Sequence, residues 1–314
     1  MSGPVLVTGA AGFAGSYVVE ALAGHGTPAI GWTHSAEPTA DVASLAEWQH
    51  VELLDAAQVR EAAARIRPAA VIHCAGAPNV AHSWRDTLTP LSVNVLATHH
   101  LLDALRRAGA PCRVIVPGSA TVYAASPAPL TEDSPVAPSN PYAVSKLAQE
   151  ELSLRAARED GLDVIVTRSF NHTGPRQSAA FAAPNMARQI ALIEAGLAEP
   201  LIKVGNLDAQ RDFTDVRDMA RAYVSLLRQG TPSTIYNVAS GVPRVMRSVL
   251  DALVARARVA VRVETDPALM RPSDTPVLIG DATKLRRATG WEPQIPFDRT
   301  LDDLLNYWRG VTHA

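Results

Sequence analysis

A tyrosine and a lysine lie four residues apart in the segment NPYAVSKLAQEEL, residues 140–152. Lysine is rare in this chain of 314 residues, which has only Lys146, Lys203 and Lys284. On a helix, residues four apart share a face, so the Lys146 ammonium would lie beside the Tyr142 phenol. A neighbouring positive charge lowers the pKa of a phenol from about 10. If the two are more than an ordinary surface pair, the spacing predicts that Tyr142 acts as a general acid whose pKa Lys146 lowers.

A serine hydroxyl is the third candidate for this chemistry. Ser119 follows the apolar segment RVIVPG, residues 113–118, which is typical of a buried strand. Parallel sheets bind ligands at the carboxyl ends of their strands. Ser119 would hold a substrate carbonyl for Tyr142, or it would only cap its own turn. Thr121 is a second candidate for the same role.

A glycine-rich turn near the N-terminus has the features of a phosphate-binding loop. The segment VLVTGAAGFAG places Gly9, Gly12, Phe13 and Gly15 between a predicted strand and a predicted helix. Glycines allow a tight turn and let a pyrophosphate approach the helix N-terminus, where free N–H groups favour anions. A glycine triplet alone would be weak evidence and could be a turn without a ligand. The strand before it and the helix after it are the context that a dinucleotide site requires.

The end of the second predicted strand bears on the choice of dinucleotide. An acidic residue there usually binds the adenosine ribose 2′-hydroxyl. Here the strand ends in AIGWTHSAE, with Thr33, His34 and Ser35 at that position. A 2′-phosphate would not be repelled, and His34 or Ser35 would contact it. The sequence therefore favours NADP(H), and NAD(H) stays open because the segment has no arginine.

Short apolar segments alternate with amphipathic helical segments over the first two thirds of the chain. Strands are predicted at 5–7, 71–75, 113–118 and 163–170, and helices at 14–24, 56–66, 91–108 and 142–159. This alternation predicts the α/β class with a doubly wound parallel sheet. Proline and loop residues increase beyond residue 171. We therefore expect a dinucleotide-binding domain over 1–170, rejoined by a strand near 233–240, and a smaller lobe over 171–314.

Composition excludes several classes of function. The net charge is −2 and the pI is about 6.5, so no basic excess points to nucleic acid or an anionic membrane. Cys74 and Cys112 lie in apolar segments, which favours buried thiols in a reducing compartment over a disulfide. No segment resembles a signal peptide or reaches transmembrane length. We expect a cytoplasmic protein.

The combination of GxxGxxG, Ser119 and the YxxxK of Tyr142 and Lys146 resembles the short-chain dehydrogenase/reductase superfamily. TGAAGFAG resembles in particular its extended branch, which acts on nucleotide sugars. The resemblance implies a Rossmann fold, catalytic roles for the three residues, and contact of Lys146 with the nicotinamide ribose. It also implies cofactor contacts near adenine and after the fourth strand, and a supporting asparagine, at these positions: Glu52, Leu53, Ala75, Gly76, Ala77 and Asn94.

Later segments resemble the GDP-sugar group of this branch, which contains GDP-mannose 4,6-dehydratases and GDP-4-keto-6-deoxy-D-mannose reductases. These segments are RSFNHTGPRQ (168–177), FAAPNMARQI (181–190), GNLDAQRDFTDVRD (205–218) and DPALMRPSDTPVLIGDATKLRRATGW (266–291). The dehydratases carry a glutamate in S/T-x-E-x-Y. This chain reads SATVY, so Thr121 occupies the glutamate position and cannot serve as that base. The reductases are therefore favoured.

The resemblance also implies substrate contacts. Arg211 and Arg271 would bind the diphosphate, Asp274 the ribose hydroxyls, Asn171 the sugar and phosphates, and Arg188 the region of the base. His172 would be either a contact or a histidine satisfied within the core. A homodimer is implied as well, with helices 91–108 and 142–159 pairing in a four-helix bundle.

Three functions remain open at this stage. The first is NADPH-dependent reduction of the C4 ketone of GDP-4-keto-6-deoxy-D-mannose, giving GDP-6-deoxy-D-mannose (GDP-D-rhamnose) or its C4 epimer. The second is 4-epimerisation of a nucleotide sugar with tightly bound NAD. The third is a non-catalytic NADP-binding sensor, which an intact Ser119, Tyr142 and Lys146 disfavour.

Overall fold

The computed structural model describes residues 3–270 and 275–313. Its strands, in chain order, are β1 (Val5–Thr8), β2 (Ala29–Thr33), β3 (Glu47–His50), β4 (Ala70–His73), β5 (Arg113–Pro117), β6 (Asp163–Ser169), β7 (Asn171–Thr173), β8 (Leu201–Val204), β9 (Gln210–Asp215), β10 (Thr234–Val238), β11 (Pro243–Val245), β12 (Arg262–Thr265) and β13 (Val277–Leu278). Its α-helices are α1 (Phe13–Gly24), α2 (Ala40–Ala43), α3 (Ala56–Ile66), α4 (Val80–Ser83), α5 (Leu88–Pro90), α6 (Ala97–Ala108), α7 (Pro141–Glu159), α8 (Ala182–Glu194), α9 (Val216–Gln229), α10 (Met246–Val254), α11 (Thr283–Thr289) and α12 (Phe297–His313). Two 3₁₀ helices, Ala120–Val122 and Pro267–Leu269, and a π-helical segment, Leu91–Leu96, also form.

Seven parallel strands form the main sheet in the order β10-β6-β5-β4-β1-β2-β3. Strand order reverses between β1 and β4, which makes this the topological switch point of a doubly wound sheet. Alternate residues of β1 enter two different cores: Val5 and Val7 pack with α1 and α9, and Leu6 packs with α3 and α6. Helices thus cover both faces, which explains why the central strands are continuously apolar. The predicted fold class is confirmed.

Most predicted elements of the first two thirds form within one or two residues of their predicted ends. The strand predicted at 71–75 ends earlier, at His73, so Cys74 and Ala75 lie in the loop that follows. The helix predicted at 91–108 is divided, because Leu91–Leu96 is π-helical and regular α6 begins only at Ala97. A pattern of apolar residues does not reveal such a π turn, and π turns often occur at functional sites.

The C-terminal third adds a second core beside the main sheet. Strand β9 pairs with β7, β11 and β13, while β8 pairs with β12. Helices α8, α10 and α12 pack over these strands around Ile190, Ile202, Leu250 and Leu304. Among the helices of the described ranges, none is long and apolar enough to cross a membrane.

Candidate active site

A cavity of about 950 Å³ opens at the carboxyl ends of the main-sheet strands. The glycine turn after β1 lines one end, and β9 with the loop before β13 lines the other. Ser119, Tyr142 and Lys146 line it as well. The cavity therefore lies at the switch point, where open α/β sheets bind ligands.

The glycine turn has no room for larger residues. Gly9 has a φ of 63°, and a Cβ there would lie 2.7 Å from the Ala75 backbone. A Cβ on Gly15 would lie 2.2 Å from the Gly9 carbonyl oxygen. Helix α1 begins after Gly12, which has no side chain to cap it. Its first N–H groups are therefore available to an anion, and the turn fits the pyrophosphate of a dinucleotide.

A contact between α1 and the loop after β7 was not predicted. The Phe13 ring stacks on His172 with centroids 5.8 Å apart, and the Tyr17 hydroxyl donates a hydrogen bond to the Pro175 carbonyl at 3.1 Å. The Arg176 guanidinium lies 3.7 Å from the Tyr17 ring and pairs with Glu20 at 2.8 Å. Arg176 has a φ of 68°, which is uncommon for a residue with a Cβ. These contacts attach the cofactor helix to the loop that follows Asn171 and His172.

The adenosine end carries a carboxylate that the end of β2 does not supply. Thr33, His34 and Ser35 line the cavity as predicted. Glu52, which follows β3, also lines it, and its Oε2 lies 2.8 Å from His34 Nε2. The end of β2 itself carries no acidic residue, and the carboxylate at this end of the cavity is that of Glu52, which the family resemblance places near adenine.

The loop after β4 is fixed by Asn94. The buried Asn94 side chain accepts a hydrogen bond from Ala77 N at 2.8 Å and donates one to Ser145 Oγ at 2.9 Å. Ala75, Gly76 and Leu53 line the same part of the cavity. Asn94 thus connects this loop to helix α7, which is the supporting role that the sequence predicts.

Ser119 caps its own turn and also lines the cavity. Its Oγ accepts a hydrogen bond from Thr121 N at 3.2 Å and so caps the 3₁₀ helix Ala120–Val122. The same Oγ lies 2.9 Å from Thr121 Oγ1 and lines the cavity. Thr121 therefore supports Ser119 by a hydrogen bond, and it offers no carboxylate for an elimination.

Tyr142 lies in the first turn of α7, where two other residues fix the backbone. Asn140 caps the helix by accepting from Ala143 N at 2.9 Å, and Ser83 Oγ accepts from Tyr142 N at 3.2 Å. The Tyr142 ring is half-buried against the cavity. Helix α7 therefore begins at a fixed position next to Ser119.

The predicted effect of Lys146 on Tyr142 is not what the structure shows. Burial raises the pKa of Tyr142, and the Ser119 hydroxyl is the group that opposes the rise. The Lys146 ammonium instead donates to the Pro117 carbonyl at 2.6 Å and to Gln149. Burial lowers the pKa of Lys146 to about 8. Tyr142 thus keeps its proton at neutral pH, as a proton donor must.

The predicted substrate residues separate into three groups. Asn171 and Arg211 line the cavity, and Arg211 donates a hydrogen bond to the Thr275 carbonyl at 2.7 Å. Arg188 is exposed on α8 and does not line the cavity. The residues of α8 that do line the cavity lie nearer the start of the helix and include Asn185 and Met186. The predictions for Arg271 and Asp274 lie outside the described residues.

His172 lines the cavity and is partly buried. Its ring stacks on Phe13, its Nδ1 lies 3.2 Å from the Phe170 carbonyl, and burial lowers its pKa. It therefore faces the cavity as a neutral ring. Among the described residues, no group of histidines, cysteines and carboxylates could hold a metal ion.

Comparison with known proteins assigns the chain to a family. The family model described as GDP-mannose 4,6 dehydratase matches residues 6–304. The chain belongs to this family. A GDP-6-deoxy-D-mannose reductase of Pseudomonas aeruginosa is 35% identical over 311 residues, which cover 98% of each chain.

Solved structures agree with the fold. The structure of RMD from Pseudomonas aeruginosa complexed with NADPH has a TM-score of 0.86 at 33% identity, covering 99% of this chain and 100% of that one. The UDP-glucose 4-epimerase of Thermus thermophilus in complex with NAD has a TM-score of 0.87 at 29% identity, covering 98% and 99%. The resemblance to extended short-chain dehydrogenases/reductases is confirmed.

Proposed function

We propose that this protein is an NADPH-dependent oxidoreductase that reduces the C4 ketone of GDP-4-keto-6-deoxy-D-mannose to GDP-6-deoxy-D-mannose. The observation that carries the proposal is the pairing of Ser119 and Tyr142 at the cavity wall, with Thr121 at the position of the dehydratase glutamate. Ser119 and Tyr142 would bind a carbonyl oxygen, and Thr121 has no carboxylate to act as the dehydratase base. The Pseudomonas aeruginosa reductase, at 35% identity, supports the same reaction.

The chain's own residues divide the work at the ketone. Ser119 and Tyr142 would donate hydrogen bonds to the C4 oxygen, and both act most strongly as negative charge develops there. Tyr142 would then transfer its proton to that oxygen, which its raised pKa permits because the phenol is protonated over the neutral range. Bound NADPH would supply the hydride. Lys146 would contact the nicotinamide ribose and provide positive charge near the site.

The diphosphate of the substrate requires positive charge at the other end of the cavity. Arg211 is placed on β9 with its guanidinium bonded to the Gln210 and Thr275 carbonyls at 2.9 and 2.7 Å. These bonds fix Nη1 of the guanidinium, and an arginine here would supply positive charge to the phosphate oxygens. Asn171 also lines the cavity and would contact the sugar. Roles for Arg271 and Asp274 remain predictions from the sequence.

The adenosine end favours NADP(H), with NAD(H) as the alternative. His34 and Ser35 would contact the 2′-phosphate, and the NADPH complex of the similar Pseudomonas aeruginosa protein supports this choice. Glu52 Oε2 lies 2.8 Å from His34 Nε2, so this carboxylate contacts one of the two residues proposed to bind the 2′-phosphate. The NAD complex of the similar epimerase keeps NAD(H) open.

A 4-epimerase is the second candidate, because the Thermus thermophilus epimerase shares the fold at a TM-score of 0.87. The same Ser119 and Tyr142 would serve a ketone formed and reduced on one enzyme. Epimerisation requires the dinucleotide to stay bound between turnovers. Purified protein that carries stoichiometric NAD and does not consume added NADPH would favour this candidate.

A non-catalytic NADP-binding sensor is the third candidate. It would be favoured only if the protein reduced no ketone and Tyr142→Phe changed no measured property.

We infer further that the dinucleotide-binding part spans 1–170 with the strand near 233–240, and that the nucleotide-sugar part is mainly 171–314. A homodimer through a four-helix bundle of α6 and α7 is supported by apolar side chains exposed on or next to these helices, namely Leu91, Leu96 and Val144.

The product would be GDP-D-rhamnose or its C4 epimer. Use of NADPH and two free cysteines favour the cytoplasm.

A coupled assay tests the proposed function. GDP-mannose, a known GDP-mannose 4,6-dehydratase and NADPH are mixed with this protein, and NADPH absorbance is followed. The proposal requires oxidation that depends on the dehydratase, and NMR of the product gives the configuration at C4. No oxidation while the dehydratase forms its ketone would exclude the proposal.

A further inference from the structure

The Lys146 ammonium is held by two acceptors in the protein interior. It donates to the Pro117 carbonyl at 2.6 Å and to Gln149 Oε1, which lies three residues further along α7. Both Lys146 and Gln149 are buried. An ammonium has three protons, so two are committed and one is left for the cavity that Lys146 lines. The direction of that third proton therefore depends on Gln149.

Gln149 is itself oriented by a buried threonine. Its Nε2 donates to Thr98 Oγ1 at 2.8 Å, which turns Oε1 toward Lys146. Thr98 has a single hydroxyl proton, and the Asn94 carbonyl accepts it at 2.7 Å. Thr98 Oγ1 can then only accept from its other two neighbours, Gln149 Nε2 and His73 Nε2, the latter at 2.9 Å.

This count of protons determines the tautomer of His73. Burial, with a contribution from Lys146, lowers the pKa of His73 to about 3, so the ring is neutral and carries one proton. That proton must be on Nε2, because Thr98 has none left to donate. Nδ1 is then an acceptor, and it lies 2.7 Å from the Thr8 hydroxyl, which accepts from Ala75 N at 3.3 Å. The polar protons of Thr8, His73 and Thr98 therefore each have a defined acceptor.

We propose that Gln149 is a positioning residue for the reaction: it holds the Lys146 ammonium charged and aimed at the cavity. Gln149 is in turn fixed by the hydrogen-bonded chain Thr98, His73 and Thr8, which runs from α6 through β4 to β1 and the glycine turn. The cofactor turn and the catalytic ammonium are thereby parts of one buried network.

Other charged and titratable groups also surround Lys146. Those that face it are His73, Cys74 and Glu150, with Tyr142 one turn earlier on α7. Glu150 is itself paired with the buried Arg168 at 2.6 Å, which reduces its effect on the ammonium. Burial raises the pKa of Cys74 to about 12, so its thiol is neutral. Gln149 is therefore the side-chain acceptor that acts directly on Lys146.

Lysine NMR tests this role without turnover. With only three lysines, protein labelled with ¹³C at the lysine Cε gives three signals, which Lys203→Arg and Lys284→Arg assign. Gln149→Leu removes the acceptor, and we expect the Lys146 pKa to fall by roughly one to two, as when a charged group loses a hydrogen bond. Gln149→Glu adds an opposite charge, and we expect the pKa to rise. Ser153→Ala is the matched control, because Ser153 is buried on the same helix and bonds only the Gln149 carbonyl.

Activity and a second nucleus extend the test. The kcat measurement depends on the proposed reductase activity, whereas the NMR measurements do not. If the protein is a reductase, the alkaline limb of kcat against pH should move with the Lys146 pKa in each variant. Nitrogen shifts of the non-titrating His73 should show the Nε2-protonated tautomer. An unchanged Lys146 pKa in Gln149→Leu would overturn the proposal, as would an Nδ1-protonated His73. If Gln149→Leu does not fold, an unchanged pKa in Gln149→Glu overturns it instead. Absence of reductase activity in the unaltered protein would count only against the proposed function.

Discussion

The two ends of the cavity are built from different kinds of structure. At the glycine end, the lining follows central strands of the parallel sheet, and the groups behind it, such as Thr8, His73 and Lys146, are buried and bonded to one another. At the other end, Arg211 lies on β9 in a separate, smaller sheet and bonds loop carbonyls. The first end holds its groups in a buried hydrogen-bonded network, and the second would present positive charge to a substrate.

The comparison implies a separation of effects. Changes at the central residues should alter the rate of the chemical step or the stability of the fold, while changes around Arg211 should alter substrate affinity. Helix α1 contacts the loop after β7 through Tyr17, which bonds the Pro175 carbonyl and lies against Arg176.

The largest effect is expected from Tyr142→Phe. Removing the phenolic proton should lower kcat about 10²- to 10⁴-fold, the usual contribution of a general acid. The dissociation constant of NADPH, measured by fluorescence titration, should stay within about twofold of the unaltered protein because the ring remains. Tyr307→Phe on α12 is the control. Equal losses in both variants would contradict a catalytic role for Tyr142.

The next largest effect is expected on stability, when the buried ion pair of Glu150 and Arg168 is broken. The expected loss of unfolding free energy is similar in size to the loss of transition-state stabilisation in Tyr142→Phe. Both side chains are almost inaccessible to solvent, at 1% and 6% exposure. Glu150→Gln would leave the guanidinium buried without its charge partner, and we expect the free energy of unfolding in urea to fall by about 3–5 kcal/mol. Glu159→Gln removes the exposed partner of Arg155 on the same helix and should cost no more than about 1 kcal/mol. Similar losses in the two variants would show that burial of the first pair has no special effect.

Arg211→Met should raise KM for the GDP-sugar roughly 10- to 100-fold, because a charge-assisted contact to the diphosphate is lost. NADPH affinity should not change, since Arg211 lies at the opposite end from the glycine turn. Arg188→Met is the matched control, with an arginine that is exposed and off the cavity. A larger effect of Arg188→Met would restore the role that the sequence suggested for it.

The smallest effect is expected at the adenosine end. Glu52→Gln removes a carboxylate beside His34, and NADPH affinity relative to NADH should rise about two- to fivefold at low salt. The gain should shrink as salt screens the charges. Titration of both dinucleotides at two ionic strengths measures it. A loss of NADPH preference would show that Glu52 is needed to orient His34.

The same contrast explains what the sequence could predict. Inner strands such as β1 and β5 carry the apolar segments VLV and VIV on both faces, so they are visible in the sequence. Strand β3, with the sequence EWQH at the sheet edge, carries no such signal. The C-terminal strands are two to six residues long and were not predicted, apart from the return strand β10.

Residue contacts between distant segments were predicted least well. The positions of Tyr142, Lys146 and Ser119 could be predicted, because a shared helix face and the end of a strand are local features of the sequence. The pairing of His34 with Glu52 depends on two neighbouring strands, and the contact of Arg176 with Tyr17 joins segments 159 residues apart, so neither has a local signature. The raised pKa of Tyr142 was missed for a related reason, because spacing along a helix does not show that Lys146 bonds Pro117 and Gln149 instead.

Transfer of a deuterium label tests the central claim most directly. NADPH carrying deuterium at the reactive carbon of the nicotinamide is incubated with the protein and the 4-keto sugar formed from GDP-mannose by a dehydratase. The account predicts one deuterium at C4 of a GDP-6-deoxy-hexose, seen by NMR, and loss of this product in Tyr142→Phe. A reduced sugar that carries protium instead of deuterium at C4, or a C4 epimer formed without consumption of NADPH, would contradict it.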